Sequence, residues 1–136
     1  MNIDAIENGY VIDHIPSGKG MRVYEILGLD SLSCQVAIIT NAKSKKNNSK
    51  DIIKINELID LDLDSIAYIA PNATVNVIKD STRVEKRKLT LPDELRDVIK
   101  CPNPRCISNN EPITHVFKRT DDKGTYRCLY CETKAK

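Results

Sequence analysis

Four cysteines carry the strongest chemistry in this chain. Cys101 and Cys106 stand in the run C-P-N-P-R-C, Cys128 and Cys131 in C-L-Y-C, and twenty-one residues separate the two pairs. A spacer of that length can fold as a hairpin and bring four thiolates around one tetrahedral ion, a geometry that suits Zn²⁺ and its preference for soft sulfur donors. With all four positions filled by protein, no place remains for a water or a substrate. The expectation is therefore one structural Zn²⁺ rather than a catalytic one. The competing reading, a pair of disulfides, requires an oxidising compartment. The opening MNIDAIE has neither the basic n-region nor the apolar h-region of a secretory signal, and no apolar run approaches the length of a membrane span. These features point to a soluble, cytoplasmic chain with reduced cysteines.

Few other residues offer catalytic chemistry. The histidines are His14 and His115, and there is no Gly-rich phosphate loop, no Ser-based nucleophile elbow and no His pair at helical spacing. Cys34 lies in an apolar stretch and reads as a buried, inert thiol. Asp13 and His14 end an apolar strand. Consecutive strand residues point to opposite faces, so the two are not expected to be buried on one face. At a strand end, however, one of them can look toward a ligand, His donating to a phosphate and Asp accepting from a ribose or an exocyclic amine; a packed or capped pair is the other reading. Lys50 and Lys54 fall on one strand face, and Lys86 and Lys88 repeat that alternation. They form a solvated face or, if their strands are neighbours, a cluster in which Lys54, Lys86 and His14 suit a triphosphate.

The elements that must position these residues follow from periodicity. Residues 10–15 form a β-branched run that ends at Pro16, a strand. Met21, Val23, Tyr24, Ile26 and Leu27 recur at helical spacing up to Gly28. Residues 34–40 read as a strand, 41–50 as an exposed Lys-rich loop, 52–55 as a strand and about 64–70 as a helix. Residues 74–78 and 82–86 alternate with period two around a turn at Lys79-Asp80-Ser81. This order is the split β-α-β, ferredoxin-like arrangement with one strand added. The fold class is thus α+β, an antiparallel sheet with two helices on one face, leaving the other face or an edge free for a second copy. A short helical linker is expected over 91–99. Strands around 114–118 and 125–128, joined by Asp121-Asp122-Lys123-Gly124, would form a small β-rich domain around the cysteines. The domains are then 1–92 and 93–136. A segment of about forty residues is too small to hold itself by apolar burial, and a structural zinc supplies on the order of 10 kcal/mol.

Charge is mild. The formal net charge is +2, with 12 Lys/Arg against 12 Asp/Glu up to residue 92 and 9 against 7 beyond it. Four thiolates on one Zn²⁺ would cancel the C-terminal excess. A general nucleic-acid binder shows a basic face and stacking aromatics; with mild charge, no Trp and one Phe that class is disfavoured, while a local basic patch stays open. A nucleic-acid-binding zinc ribbon is the alternative from another class, and an enzyme using His14 or Cys34 a third reading.

Taken together, Val11-Ile12-Asp13-His14-Ile15-Pro16, Lys50-Asp51-Ile52-Ile53-Lys54-Ile55, Tyr68-Ile69-Ala70-Pro71-Asn72-Ala73-Thr74-Val75-Asn76, Cys101-Pro102-Asn103-Pro104-Arg105-Cys106-Ile107-Ser108 and Cys128-Leu129-Tyr130-Cys131-Glu132 resemble the regulatory chain of aspartate carbamoyltransferase, in the same order and over nearly the whole length. The resemblance implies a non-catalytic subunit whose N-terminal domain binds CTP and ATP as allosteric effectors and pairs with a second copy through its sheet. Its zinc domain would dock on the catalytic chain within an assembly of catalytic trimers and regulatory dimers that controls pyrimidine biosynthesis. Residue by residue, it implies that Ile3, Asp4, Ala5 and Ile6 cover the base, and that Asp13 and His14 sit beside ribose and phosphates. Lys54 would contact base and ribose with Lys50 as its companion, Asn76 and Ile78 would line the pocket, and Lys86 would be the main phosphate lysine. Cys101, Cys106, Cys128 and Cys131 carry over as zinc ligands. Ser81 and Arg83 depart from the family, which often has a larger aromatic residue and an apolar one there, and both bear on effector preference.

Overall fold

A computed structural model of the chain describes residues 6–44 and 48–135. The chain divides into two compact units, Met1–Leu89 and Thr90–Lys136.

In the first unit, β1 (Gly9–Pro16), β2 (Val36–Ser44), β3 (Asn48–Ile55), β4 (Thr74–Lys79) and β5 (Thr82–Lys88) form one sheet in the order β2-β3-β1-β4-β5, with every neighbouring pair antiparallel. The helices α1 (Gly20–Ile26) and α2 (Leu63–Ile69) follow β1 and β3. This is the split β-α-β order, with β5 added beside β4. Alternation along each strand explains the layering. Tyr10, Ile12, Ile53, Ile55, Val75 and Val77 are buried together with Val23 of α1 and Ile66 and Ile69 of α2, and the residues between them face the other side of the sheet. A side-chain cap starts α2, where Asp62 accepts from the Ser65 N–H at 3.2 Å and from its hydroxyl at 2.6 Å.

Two expectations need correction here. Residues 41–50 are not simply a loop, because β2 continues to Ser44 and β3 begins at Asn48. Ladder pairing uses backbone groups, so a strand can run through a stretch without an apolar face, as at the exposed Asn41 and Lys43. Cys34 lies just before β2 rather than within a strand, half-buried against the core.

The second unit holds β6 (Glu94–Arg96), β7 (Val116–Arg119) and β8 (Tyr126–Cys128) in one antiparallel sheet, and one helical turn, α3 (Ile107–Asn110). The expected helical linker over 91–99 is instead strand β6. Glu94-Leu95-Arg96 alternates polar, apolar, polar, so pairing with β7 buries Leu95 to 1% exposure while Arg96 stays out. Asp97 then takes a left-handed φ of 53° and ends the strand. The β7 to β8 connection is held by Asp121, whose carboxylate accepts from the N–H groups of Lys123 at 2.8 Å and Thr125 at 3.1 Å. Hydrogen bonds from Thr125 and Lys123 outweigh slight desolvation and hold the Asp121 carboxyl down at about 2. Tyr126, Phe117, Leu95 and Val116 make the small core beside the cysteines.

Candidate metal centre and lysine-lined sheet face

The sulfur atoms of Cys101, Cys106, Cys128 and Cys131 all lie within 4.8 Å of one another, and none of these cysteines is in a disulfide. Cys101 and Cys131 are 3.4 Å apart and Cys106 and Cys128 3.6 Å. A tetrahedron of thiolates at the usual metal–sulfur length of about 2.3 Å has edges of roughly 3.8 Å, so the cluster is already close to the size that a zinc-like ion requires. Burial pushes the Cys101 thiol up to about 12, while hydrogen bonds from Thr133 hold Cys131 at about 6. A dication at the centre would keep all four as thiolates.

The local sequence builds this cluster with its own polar groups. The Asn109 amide donates to the carbonyls of Cys101 at 2.9 Å and Asn103 at 2.7 Å, and the Asn110 amide to that of Cys106 at 2.8 Å, so α3 closes the first cysteine loop. Glu132, with a left-handed φ of 63°, donates its N–H to the Cys128 carbonyl at 2.9 Å and turns the second loop. The Cys101 N–H faces His115 Nδ1 at 3.4 Å, which gives that histidine a role in orienting a ligand loop. Beside the ligands, Ile107, Leu129 and Tyr130 are exposed at 48%, 48% and 44%, an apolar set that a self-sufficient surface would cover.

The second candidate site lies on the sheet face away from the helices. Pairing sets Lys54 opposite Val11, Val11 opposite Asn76, and Asn76 opposite Lys86, so these residues of β3, β1, β4 and β5 form one row on one face. The next row toward the C-terminal end of β1 holds Asp13, Thr74 and Lys88, and the row on the other side holds Gly9, Ile78 and Arg83. From Ile78 to Thr74 the strip is about 13 Å long by strand rise. Asn76 is 9% exposed; its amide donates to the Val11 carbonyl at 3.2 Å, and its Oδ1 has no partner among the described residues. A buried acceptor of this kind is a place for an incoming donor.

At the far end of the strip, alternation fails. The β1 to β3 register shifts between Ile12 and Ile15, and His14 adopts a left-handed φ of 60°. The two are not both buried, as expected, yet alternation does not hold them apart, because the bulge inserts one residue and brings both half-exposed side chains to the same rim. His14 Nδ1 lies 3.2 Å from Thr74 Oγ1 and 3.9 Å from Asp13 Oδ2. Lys50 Nζ lies 2.9 Å from Asp13 Oδ1. Burial alone would raise the Asp13 carboxyl, but the Lys50 hydrogen bond, the His14 N–H and the neighbouring charges overcome it and hold the group below its ordinary value. Next to this cluster is a cleft of about 520 Å³ lined by His14, Pro71, Asn72, Ala73, Thr74, Lys86, Lys88 and Leu89.

The structure thus brings Asp13, His14, Lys50, Lys54, Asn76, Ile78 and Lys86 onto one face or its rim. Ile6 precedes Glu7, whose carbonyl accepts from the Ser81 N–H at 2.8 Å, so Ile6 lies near the β4 to β5 hairpin. Ile3, Asp4 and Ala5 lie outside the described residues. Thr74 and Lys88 join the set only through register and the cleft; the alternation of Lys88 with Lys86 was a visible signal, whereas nothing in the sequence singled out Thr74.

Family models for the aspartate carbamoyltransferase regulatory chain match in two parts, the allosteric domain over residues 1–90 and the metal binding domain over residues 93–136. The chain is 47% identical to the aspartate carbamoyltransferase regulatory chain of Clostridium acetobutylicum, over 97% of this chain and 92% of that one. It is 42% identical to the chain of that name from Bifidobacterium longum, over 100% and 99%, and 41% identical to that from Bacteroides thetaiotaomicron, over 100% and 91%.

Proposed function

The chain belongs to the family of aspartate carbamoyltransferase regulatory chains, and from that premise we propose that its lysine-lined sheet face binds CTP and ATP and that its metal-binding part relays their effect to catalytic chains. A regulatory chain is a non-catalytic subunit, in keeping with the scarcity of acid/base and nucleophilic groups. One observation carries the nucleotide reading. Lys54, Val11, Asn76 and Lys86 stand in a single cross-strand row, with Lys86 directly opposite Asn76, Lys54 beyond Val11 on the other side, and Asn76 Oδ1 without a partner among the described residues. A base with an exocyclic amine satisfies that oxygen, and the lysines with His14 at the bulged end suit a triphosphate. Ile3, Asp4, Ala5 and Ile6 would close over the base.

The metal is Zn²⁺, chosen by four thiolates at nearly tetrahedral spacing, and its role is to fold the small unit that meets the catalytic chain. The exposed Ile107, Leu129 and Tyr130 next to the ligands support that surface as the docking face. The free sheet of the N-terminal domain, residues 1–92, would pair with a second copy, giving regulatory dimers that join catalytic trimers. Unbridged cysteines suit a reducing cytoplasm.

Effector binding changes activity only if each nucleotide binds two quaternary states unequally, with couplings of about 1–3 kcal/mol. Carbamoyl-aspartate formation by the assembly reconstituted from this chain and its catalytic partner, with and without each nucleotide, tests the proposal. CTP inhibition and ATP activation are expected; flat activity across saturating concentrations of both would sink it.

A further inference from the structure

Asp51 is buried to 1% exposure, yet no cation is paired with it among the described residues. Its carboxylate is satisfied by backbone alone. Oδ2 accepts from the N–H groups of Gly18 at 3.0 Å and Gly20 at 2.9 Å, and Oδ1 accepts from that of Asn41 at 3.0 Å. These donors come from the turn between β1 and α1 and from β2, the two segments that flank β3. Gly20 permits the approach, since a Cβ there would stand 2.8 Å from Oδ2.

Both neighbours of β3 carry an irregularity at this level. The β1 register shifts between Ile12 and Ile15, and the β2 register between Ile39 and Ala42. Each shift contains a residue in the left-handed region, His14 at φ 60° and Asn41 at φ 57°. A non-glycine residue holds that conformation only when its surroundings over-determine it. Asp51 supplies the constraint. It bonds Asn41 directly, and by tying Gly18 and Gly20 to β3 it fixes the pairing of Ile15 with Asp51 and of Pro16 with Lys50. With that register set, the extra residue of β1 has to be accommodated at Asp13 and His14. The adjacent Lys50 points to the opposite face and holds Asp13.

We propose that Asp51 is a positioning residue of the effector site: from the helix-covered face, it locks the paired bulges that set His14, Asp13 and Lys50 on the open face. This rests on the nucleotide reading above only for its consequence, since the positioning itself is a property of the nucleotide-free chain.

Asp51→Asn in the full zinc-loaded chain tests it, because the near-isosteric amide cannot accept at both oxygens. NMR of the nucleotide-free protein should show the backbone shifts of His14 and Asn41 leaving left-handed values and the Asn41 and Gly20 amides losing exchange protection. CTP titration by calorimetry, well below the melting transition, should show binding weakened by about tenfold, the scale on which misplaced contacts act. Val23→Ala, which removes buried volume without touching the carboxylate, is the control for lowered stability alone and should keep wild-type His14 shifts and CTP affinity. If Asp51→Asn does not fold, Gly20→Ala pushes on the same carboxylate and should give the same shifts in weaker form. Unchanged His14 and Asn41 shifts in the folded variant overturn the inference, as does an affinity loss that Val23→Ala reproduces. A wild-type chain that binds no CTP refutes the nucleotide reading instead, and the NMR arm still decides the positioning.

Discussion

Single residues divide the labour on the sheet face. Lys86 stands in the Asn76 row and also lines the cleft beside His14, so it is the cation best set to meet phosphate oxygens. Lys86→Ala is expected to weaken CTP and ATP alike by about 1.5 kcal/mol, roughly tenfold in Kd, because both share the triphosphate. Calorimetry with each nucleotide checks this, and an unchanged Kd would put the phosphates elsewhere. Asp13 carries a pH prediction. Its folded-state carboxyl lies below the ordinary 3.8, so its contribution to stability is present above pH 3.8 and is lost as the pH falls through the lower folded value. An NMR titration should find this carboxyl mostly ionised at pH 3.8; a midpoint at or above that pH would contradict the Lys50 pairing.

Elements show where local sequence rules held and where neighbours overrode them. Period-two alternation placed β4 and β5 well, and their turn is a two-residue connection with Asp80 at φ 51° and Ser81 at φ 64°. Neither is glycine, so Ser81→Gly should stabilise the N-terminal unit by about 0.5–1 kcal/mol in urea unfolding, the relief of one left-handed residue less the added freedom of the unfolded chain. Strand β6 stands where the sequence predicts a helical linker, because three residues are too few to show a period and pairing with β7 decides the conformation. Leu95→Ala should therefore cost the second unit about 2–4 kcal/mol through the cavity left behind, whereas an exposed linker residue would cost almost nothing. Melting of the zinc-loaded variant separates the two.

At the scale of the molecule, the two units draw stability from different sources. The first buries a core from β1, β3, β4 and the two helices, with β2 packed against it, while the second has a handful of apolar residues around four sulfurs. Chelation should unfold the second unit and release the catalytic partner while the first keeps its amide protection; an assembly that stays intact after complete metal loss would refute the role given to the ion. The sequence alone singled out the four cysteines that the structure gathers within 4.8 Å of one another, since two close pairs leave few other geometries, and it determined the strand and helix order through hydrophobic periods. It also showed the lysines, though only as residues spaced along separate strands. Which of them share a face, and that Asp13 and His14 turn to one rim against the alternation rule, depended on register and on a bulge. Both are set by contacts between segments far apart in the chain, Asp51 with Gly18, Gly20 and Asn41 among them, and no local pattern encodes such contacts.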